Sequence, residues 1–531
     1  MNSTTSQINE LLERLATAGQ QARTVQGPLI HVSELTSFPA FVYEKLRNIV
    51  DYKDEYLLRK NAVKRFLKRR FLLPQFTHET MVVAQSLVRE LILSRYLAND
   101  SVAESLLPKL AAVLSRYQAL FNQLESQGCK ASRWREQMLG LAAVECDALL
   151  VSPAERNAYN HYAFRLLKPL IGLSRSNDSE EEKDMQLMLA IQRVLERADR
   201  DITSYSLLKH YYSAWFNLPP QEAAQTLAPH YAEALQKFER LSNYRLGRRL
   251  LPTVKRLLVP LMILRDVVRE YDGPLRELLK NPKDLERKAS ETYRSLWLQT
   301  RRRIRRKGFH AMGYIFLTKI LVALLLELPY ERLVIGSINY LPLGINLAFP
   351  PFLMAIITLL IKSPTDKNEI LVVQGVHEIA YGGEAEFFLY RELKIQPPSF
   401  WKHLTYIVLY TVTTGVSLGA LIYLLWRLNF NPISGALFML FVSLVSFFGI
   451  SLRQQARQLK VISGRETMVG FLVDFFTFPV MALGKWISTT FDRVNIFVFV
   501  LDFLFEVPFK TALKLIEDWF AFLKEKKEDL Y

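Results

Sequence analysis

The residues whose types and positions suggest chemistry are charged side chains inside apolar segments. Lys319 lies at the centre of the run 309–328, and two shorter apolar segments nearer the C-terminus contain Asp474, Asp502 and Glu506. An unpaired lysine at a bilayer centre costs about 2.5–3.5 kcal/mol on insertion scales. We predict that Lys319 pairs with one of these three carboxylates. The pair would be a structural ion pair that fixes helix register, or part of a proton or cation path.

A second candidate is the string His377-Glu378-Ile379-Ala380-Tyr381, which approaches the H-E-x-x-H zinc motif. That motif needs two histidines one helical turn apart, and here Tyr381 takes the second position. The remaining histidines form no other ligand spacing, and the two cysteines, Cys129 and Cys146, match no zinc pattern. The sequence therefore predicts no metal site and no cofactor, and it places this string on a short helix over 366–381.

A third candidate is the G-x-S-x-G string from Gly415 to Gly419, which resembles a hydrolase nucleophile turn. In hydrolases that turn joins a strand to a helix and works beside a histidine. Here the string lies in an apolar helix, the predicted span 404–428. Neither this span nor the spans 341–361 and 433–452 contain a histidine. Thr411, Gly415 and Gly419 instead form a small-residue stripe at a spacing of four, typical of close helix packing in lipid. With no phosphate-binding loop either, we predict no enzyme.

The segments that must position these residues follow a strongly basic junction. Between 301 and 307 the chain has six basic side chains, namely Arg301, Arg302, Arg303, Arg305, Arg306 and Lys307. The run 309–328 comes next, broken only by His310, Lys319 and Glu327. About 20 apolar residues span a hydrocarbon core roughly 30 Å thick, and basic flanks stay in the cytoplasm. We therefore predict a first span at 309–328 with the N-terminal half in the cytoplasm.

Three further spans are predicted at 341–361, 404–428 and 433–452. Pro350 and Pro351 interrupt the second, so we predict a helix break there, kinked or split near its middle. The connectors expected outside carry one basic residue, whereas the inner loops carry several. This agrees with the positive-inside bias and predicts that both termini are cytoplasmic.

The C-terminal region is less regular. The apolar segments 468–483 and 494–509 are each about 16 residues long, which is short for a full span. The transmembrane region, 309–507, therefore has four spans, or six if both segments cross, and we favour a membrane-embedded hairpin for them. Apolar residues then recur at helical spacing, so 508–531 is predicted to be an amphipathic helix with a short tail.

The N-terminal half, 1–308, shows helical periodicity between ordinary helix stop signals and no alternating strand pattern. The polar stretch 174–184 is the best internal boundary, and no residue signature recurs that would indicate a repeat array. The fold class predicted for the whole chain is all-α. It comprises a large cytoplasmic multi-helix domain, an α-helical transmembrane bundle and a C-terminal amphipathic helix.

The net charge of +16 indicates an anionic partner. Basic clusters without a nucleic-acid motif or interleaved aromatic residues favour anionic lipid headgroups over nucleic acid. We predict a polytopic protein of a bacterial-type inner (cytoplasmic) membrane. Its basic helical domain would act as a non-catalytic, membrane-anchored interaction or scaffold module with a protein partner or a second copy. The alternative is an ion channel or secondary transporter that uses Lys319 and the three carboxylates.

Overall fold

The computed structural model describes residues 2–23, 27–32, 55–71, 79–128, 132–174, 179–271, 275–359, 366–382, 387–389, 391–394, 400–461, 475 and 477–487. These residues are almost all helical, as the sequence predicts. The correction is one two-stranded parallel sheet, in which β1 (Ile171–Ser174) pairs with β2 (Arg391–Lys394). Strands of four residues whose partner lies more than 200 positions away leave no alternating pattern long enough to detect.

The N-terminal half folds into helices joined by short connectors. Those of two turns or more are α1 (Asn2–Arg23), α2 (Glu55–Phe71), α3 (Thr80–Leu93), α4 (Leu107–Ser126), α5 (Ser132–Leu150), α6 (Ala154–Leu167), α7 (Glu180–Leu195), α8 (Arg200–Tyr211), α9 (Pro220–Leu227), α10 (Tyr231–Ser242), α11 (Arg245–Leu257) and α12 (Val259–Glu270). Ser179 and Glu182 form a capping box at the start of α7. The side chain of Asp199 accepts the Ile202 backbone N–H at the start of α8. These caps satisfy donors that a helix start leaves free.

Proline ends some helices of the N-terminal half and not others. The stretch 220–241 forms two helices, since Pro229 lies in a 3-10 turn between α9 and α10. By contrast, α11 runs from Arg245 to Leu257 with Pro252 in its interior. Proline is a reliable helix stop only where packing does not compensate for the lost hydrogen bond.

The remaining helices are α13 (Pro282–Val322), α14 (Tyr340–Leu359), α15 (Asp366–Tyr381), α16 (Phe400–Arg427) and α17 (Pro432–Ala456). Two π-helical turns, Ala323–Glu327 and Glu331–Ile335, extend α13. The helices long and apolar enough to cross a membrane are Pro282–Ile335, Tyr340–Leu359, Leu404–Arg427 and Pro432–Ala456. They confirm the four predicted membrane-crossing helices at 309–328, 341–361, 404–428 and 433–452.

One bent pair of N-terminal helices, Arg133–Leu150 and Ala154–Leu170, is also apolar enough to cross, with a bend of 107°. Its apolar side chains, however, face protein. Met138 and Ala143 lie in one buried core, and Tyr162 and Leu167 lie in another. Because the apolar surface of these helices is buried against other helices, we assign them to the N-terminal half.

A shared core joins the N-terminal half to the apolar helices. Buried side chains from α6, α12, α14, α15 and α17 pack in one cluster that includes Tyr162, Leu264, Met354, Val376 and Leu452. The predicted boundary at 308 therefore falls inside α13, a helix of 41 residues. At 1.5 Å per residue α13 is roughly 60 Å long, so one rigid element belongs to both halves.

A buried amide fixes this arrangement at the end of α17. The side chain of Asn368 on α15 donates to the Tyr293 hydroxyl of α13 at 2.7 Å and to the Leu459 carbonyl at 3.0 Å. Its oxygen accepts the Val461 backbone N–H at 2.7 Å. Three segments that are distant in sequence are thus held by one side chain that is 2% exposed.

The predicted break at Pro350 and Pro351 is not a split. α14 runs without interruption from Tyr340 to Leu359, with both prolines buried inside it. A proline removes only the hydrogen bond to the carbonyl four residues earlier, and neighbouring helices can keep the backbone helical. Here α13 and α17 both pack on α14.

The uncertain C-terminal segments are described only in part. Residues 477–487 are helical, and Gly484 lies against the backbone of Ser443 on α17. A Cβ at Gly484 would lie 2.0 Å from the Ser443 carbonyl oxygen. The rest of 468–483, the segment 494–509 and the predicted amphipathic helix at 508–531 lie outside the described residues.

Gly308 provides a test of the packing between α13 and α14. A Cβ at Gly308 would lie 2.4 Å from the Oγ1 and 2.6 Å from the Cγ2 of Thr358, whereas one at Gly313 would meet nothing within 4 Å. We expect Gly308→Ala to destabilise the detergent-solubilised protein by about 1–3 kcal/mol through overpacking. The control Gly313→Ala should be neutral or stabilising, because alanine favours helix.

Thermal unfolding measures both variants. Adding Thr358→Ala to Gly308→Ala should restore the melting temperature, since it removes both clashing atoms. Equal melting temperatures for Gly308→Ala and Gly313→Ala would contradict this packing.

Candidate functional site: a buried polar cluster between the apolar helices

Lys319 is completely buried, and its partner is Glu327. The Lys319 Nζ lies 3.8 Å from the Glu327 Oε2, and both side chains are 0% exposed. In the sequence, Glu327 is recognisable only as an interruption of the apolar run 309–328. The predicted partners Asp474, Asp502 and Glu506 lie outside the described residues, so the structure does not test pairing with them.

A π-helical turn explains how Lys319 and Glu327 meet. Eight residues along a regular α-helix leave two side chains about 80° apart around the axis. The turn Ala323–Glu327 closes with a hydrogen bond from the Leu328 N–H to the Ala323 carbonyl, one residue longer than an α-helical turn. One inserted residue gives Glu327 about the angular position of a seven-residue spacing, within about 20° of Lys319. The ion pair therefore depends on the π turn.

Asn346 connects this pair to two neighbouring helices. Its side chain on α14 is 0% exposed and donates both to the Glu327 Oε1 and, at 3.2 Å, to the Ser434 carbonyl of α17. The Lys319 ammonium also lies 4.8 Å from the centroid of the Phe441 ring on α17. Amide, carboxylate, ammonium and aromatic ring thus form one polar cluster at the contact of α13, α14 and α17.

Glu331 holds the end of the same helix through a second set of bonds. Its carboxylate accepts the Asn339 backbone N–H at 3.1 Å and the Asn431 side chain at 2.9 Å. Asn431 also caps α17 by accepting the Ser434 N–H at 2.7 Å. Gly336 ends the second π turn with a φ of 80°, a left-handed conformation that favours glycine. Glu331 therefore ties two connectors between apolar helices together.

The cluster contains more hydrogen-bonding capacity than it uses. Within the described residues, the buried atoms without a hydrogen-bond partner include Lys319 Nζ, Glu327 Oε2, Asn346 Oδ1 and Ser434 Oγ. Pro350 has no N–H to donate to the Asn346 backbone carbonyl four residues earlier. Chemically, this arrangement can hold a charge in a low-dielectric setting and can accept a proton, a water or a small cation.

The predicted packing stripe does not pack within the described part of the chain. Thr411, Gly415 and Gly419 are exposed, and a Cβ at either glycine would meet nothing within 4 Å. The residues of α16 described as buried are Thr413 and Leu425. Close packing through this stripe therefore stays a prediction, because a spacing of four defines a face of a helix but not the neighbour of that face.

The near-zinc string has a structural role in this fold. His377 contacts Glu286 of α13 at 2.8 Å, and the Glu378 carboxylate accepts the backbone N–H groups of Phe387 and Phe388 at 2.7 and 3.0 Å. Among the described residues no three histidine, cysteine or carboxylate side chains are grouped as metal ligands. The string therefore attaches α15 to α13 and holds the connector after it.

The basic junction lies on the surface of α13. Arg302, Arg303, Arg305 and Arg306 are exposed, whereas Ile304 is buried between them. Lys307 reaches α17 and donates to the Gln455 side chain at 3.3 Å. Four guanidinium groups thus project from one helix just where its apolar part begins.

Comparison with protein-family models, with curated proteins and with solved structures gives no match to this chain. The fold by itself defines the class, a helical membrane-associated protein with four candidate spans.

The Lys319–Glu327 pair can be tested by a double-mutant cycle. Lys319→Met or Glu327→Gln alone leaves one buried charge unpaired, which typically costs about 3–5 kcal/mol. We expect the double variant to be less destabilised than the sum of the two, by at least about 1 kcal/mol. Unfolding in a denaturing detergent titration measures each variant.

Lys307→Met is the matched control, because it removes a partly exposed lysine from the same helix and should cost at most about 1 kcal/mol. Strict additivity of the two single variants would show that the side chains do not interact.

Proposed function

We propose that the protein is a non-catalytic, membrane-anchored interaction module whose apolar helices hold the N-terminal helical half at the membrane surface. The observation that carries this proposal is the continuity of α13 from Pro282 to Val322, across the basic junction. The shared core, which contains Leu264, Met354 and Leu452, supports it further. A half that shares a core with its anchor is held in one orientation, which suits a scaffold better than a tethered domain would.

The charges support a cytoplasmic N-terminal half and cytoplasmic termini. Short outer connectors would contain Arg332 as their one basic residue, whereas the inner loops would contain the lysines and arginines of 362–403 and 453–465. Basic residues next to spans are retained in the cytoplasm. We propose a bacterial-type inner membrane on this basis.

The exposed guanidinium groups of the junction suit anionic lipid headgroups. Arginines beside an anionic membrane surface each contribute roughly 1 kcal/mol of attraction. The exposed face of α16, which includes Thr411, Gly415 and Gly419, suits lipid or a second helix. We propose the anionic lipid bilayer as the first partner, with a protein or a second copy on α16 as the other.

Topology is tested with single cysteines in full-length protein that lacks Cys129 and Cys146. Gln299 is exposed before the junction, and Leu333 is 83% exposed beyond the first span. We expect a membrane-impermeant maleimide to label Leu333→Cys in intact cells and Gln299→Cys only after permeabilisation. The reverse pattern would overturn the orientation, and labelling of both in intact cells would overturn the first span.

A second function, proton or cation movement, is favoured by one observation. The Lys319 Nζ and the Glu327 Oε2 are buried without hydrogen bonds, beside two π-helical turns. Ionisable residues inside membrane bundles often mark ion paths, and π turns often mark functional sites. An ion pair with a purely structural role would not need polar atoms that lack hydrogen bonds.

Flux through purified protein in liposomes separates the two functions. If the cluster conducts, Lys319→Met should reduce proton or potassium flux at least about tenfold, while Tyr314→Phe on the exposed face of the same helix should leave it unchanged. Flux no greater than that of empty liposomes for the unaltered protein would remove the transport function and leave the anchor.

A further inference from the structure

A large cavity lies in the N-terminal half, away from the buried polar cluster. Its volume is about 880 Å³, and side chains of α2, α5, α6, α7 and α8 line it. Cavities of about 300–1,000 Å³ with apolar walls and a few polar groups are the usual form of a small-molecule site. The apolar part of this wall comes from Phe164, Met185, Met188 and Tyr205.

Two amide side chains of the cavity wall contain buried oxygen atoms without a hydrogen-bond partner among the described residues. Asn160 of α6 is 4% exposed, and within the described residues neither its Oδ1 nor the Oε1 of Gln192 on α7 has a hydrogen-bond partner. The nitrogen of Asn160 is already used, since it donates to the Glu196 carboxylate. Buried acceptors are rarely left unpaired in folded proteins, so these two oxygens are suited to a donor from a ligand.

Glu196 adds a third acceptor beside them. It caps α7 one turn after Gln192, on the same helix face, and lines the cavity. Burial raises the pKa of the Glu196 carboxyl above its ordinary value, as expected for an acid with little solvent around it. Three oxygen acceptors match the three N–H donors of a protonated amine. The negative end of the α7 dipole also favours a cation here.

Arg156 supplies the opposite charge in the same wall, and its guanidinium acts electrostatically on the Glu196 carboxyl. It lies in the first turn of α6, four residues before Asn160, so both side chains lie on one helix face. Its guanidinium stacks 4.6 Å from the centroid of the Tyr56 ring, and it forms no ion pair with any described residue. A guanidinium held flat on an aromatic ring keeps its edge available for a carboxylate.

Most other charged groups of the wall already have partners. Those with short contacts are Lys60 with Asp201 at 2.9 Å, Asp147 with Arg59 at 2.6 Å, Glu181 with His210 at 2.9 Å, and Asp184 with Lys168. Their pairing leaves Arg156 and the Asn160–Gln192–Glu196 acceptors as the distinctive groups of the cavity.

We propose that this cavity binds a zwitterion of the α-amino-acid type. Its ammonium group is held by Asn160, Gln192 and Glu196, its carboxylate is held by Arg156, and its side chain lies against Phe164 and the methionines. The proposal requires both charges on one small molecule. The cavity shares α6 and α7 with the core that reaches the apolar helices, so a bound ligand would stabilise the unit that the membrane holds.

Thermal unfolding of the full-length protein in detergent, with each of the twenty amino acids at millimolar concentration, is the first test. We expect one or more amino acids to raise the melting temperature, because a ligand that binds only the folded state stabilises it. Propylamine and propionate, which carry one charge each, should have no effect at the same concentration. No shift with any amino acid, or an equal shift with propylamine, would overturn the proposal.

Variants then locate the site by direct binding of the amino acid that gives the largest shift. Gln192→Leu and Arg156→Met should each weaken binding at least about tenfold, since each removes a partner of a charged group. Lys209→Met, an exposed position of the same cavity, is the matched control and should bind normally. Gln192→Glu keeps the acceptor oxygens and should retain binding even if Gln192→Leu folds poorly. Binding unchanged by Arg156→Met, or lost in Gln192→Glu, would contradict this site.

Discussion

The need to satisfy backbone hydrogen bonds where no water is available is the constraint on which the apolar half of this protein depends. In hydrocarbon, a free N–H or carbonyl costs several kcal/mol, so a crossing segment must be helical throughout. The first span meets this need by continuing α13 and then changing to π-helical turns, which keep the backbone bonded while they shift the side chains. α14 stays helical through Pro350 and Pro351, which cannot donate backbone hydrogen bonds, and packs between α13 and α17. The positions of the polar side chains in these segments follow from this backbone geometry.

The Lys319–Glu327 pair shows how a π-helical turn determines which polar side chains meet. A buried pair is weak evidence for stability, because removing two charges from water can cost as much as their attraction returns. The pair instead helps to specify how three helices pack together. The π turn, the Asn346 bridge to α17 and the Phe441 ring can all be satisfied only if α13, α14 and α17 meet in one register. The same geometry leaves atoms of Lys319 and Glu327 without hydrogen bonds, which is why a structural role and an ion path start from the same cluster.

The two halves are mechanically one unit. Asn368 holds α13, α15 and the end of α17 together, and the core that contains Tyr162 and Leu264 continues to Met354 and Leu452. The cavity between α6 and α7 lies beside that core. A ligand bound there would act on helices that share this core with the apolar helices.

The four membrane-crossing helices and the all-α class follow from the sequence alone, because apolar length and helical periodicity are local properties of the chain. Three features do not follow from the sequence. They are the partner of Lys319, the outward direction of Thr411, Gly415 and Gly419, and the unbroken course of α14. Each depends on which neighbour a helix face meets, or on a π turn that shifts the angular position of every later residue. The cavity is the clearest case. Arg156, Asn160, Gln192 and Glu196 form two ordinary helical pairs that carry no motif. Only the packing of α6 against α7 brings them around one space, since the chemistry of a site depends on distances that sequence spacing does not determine.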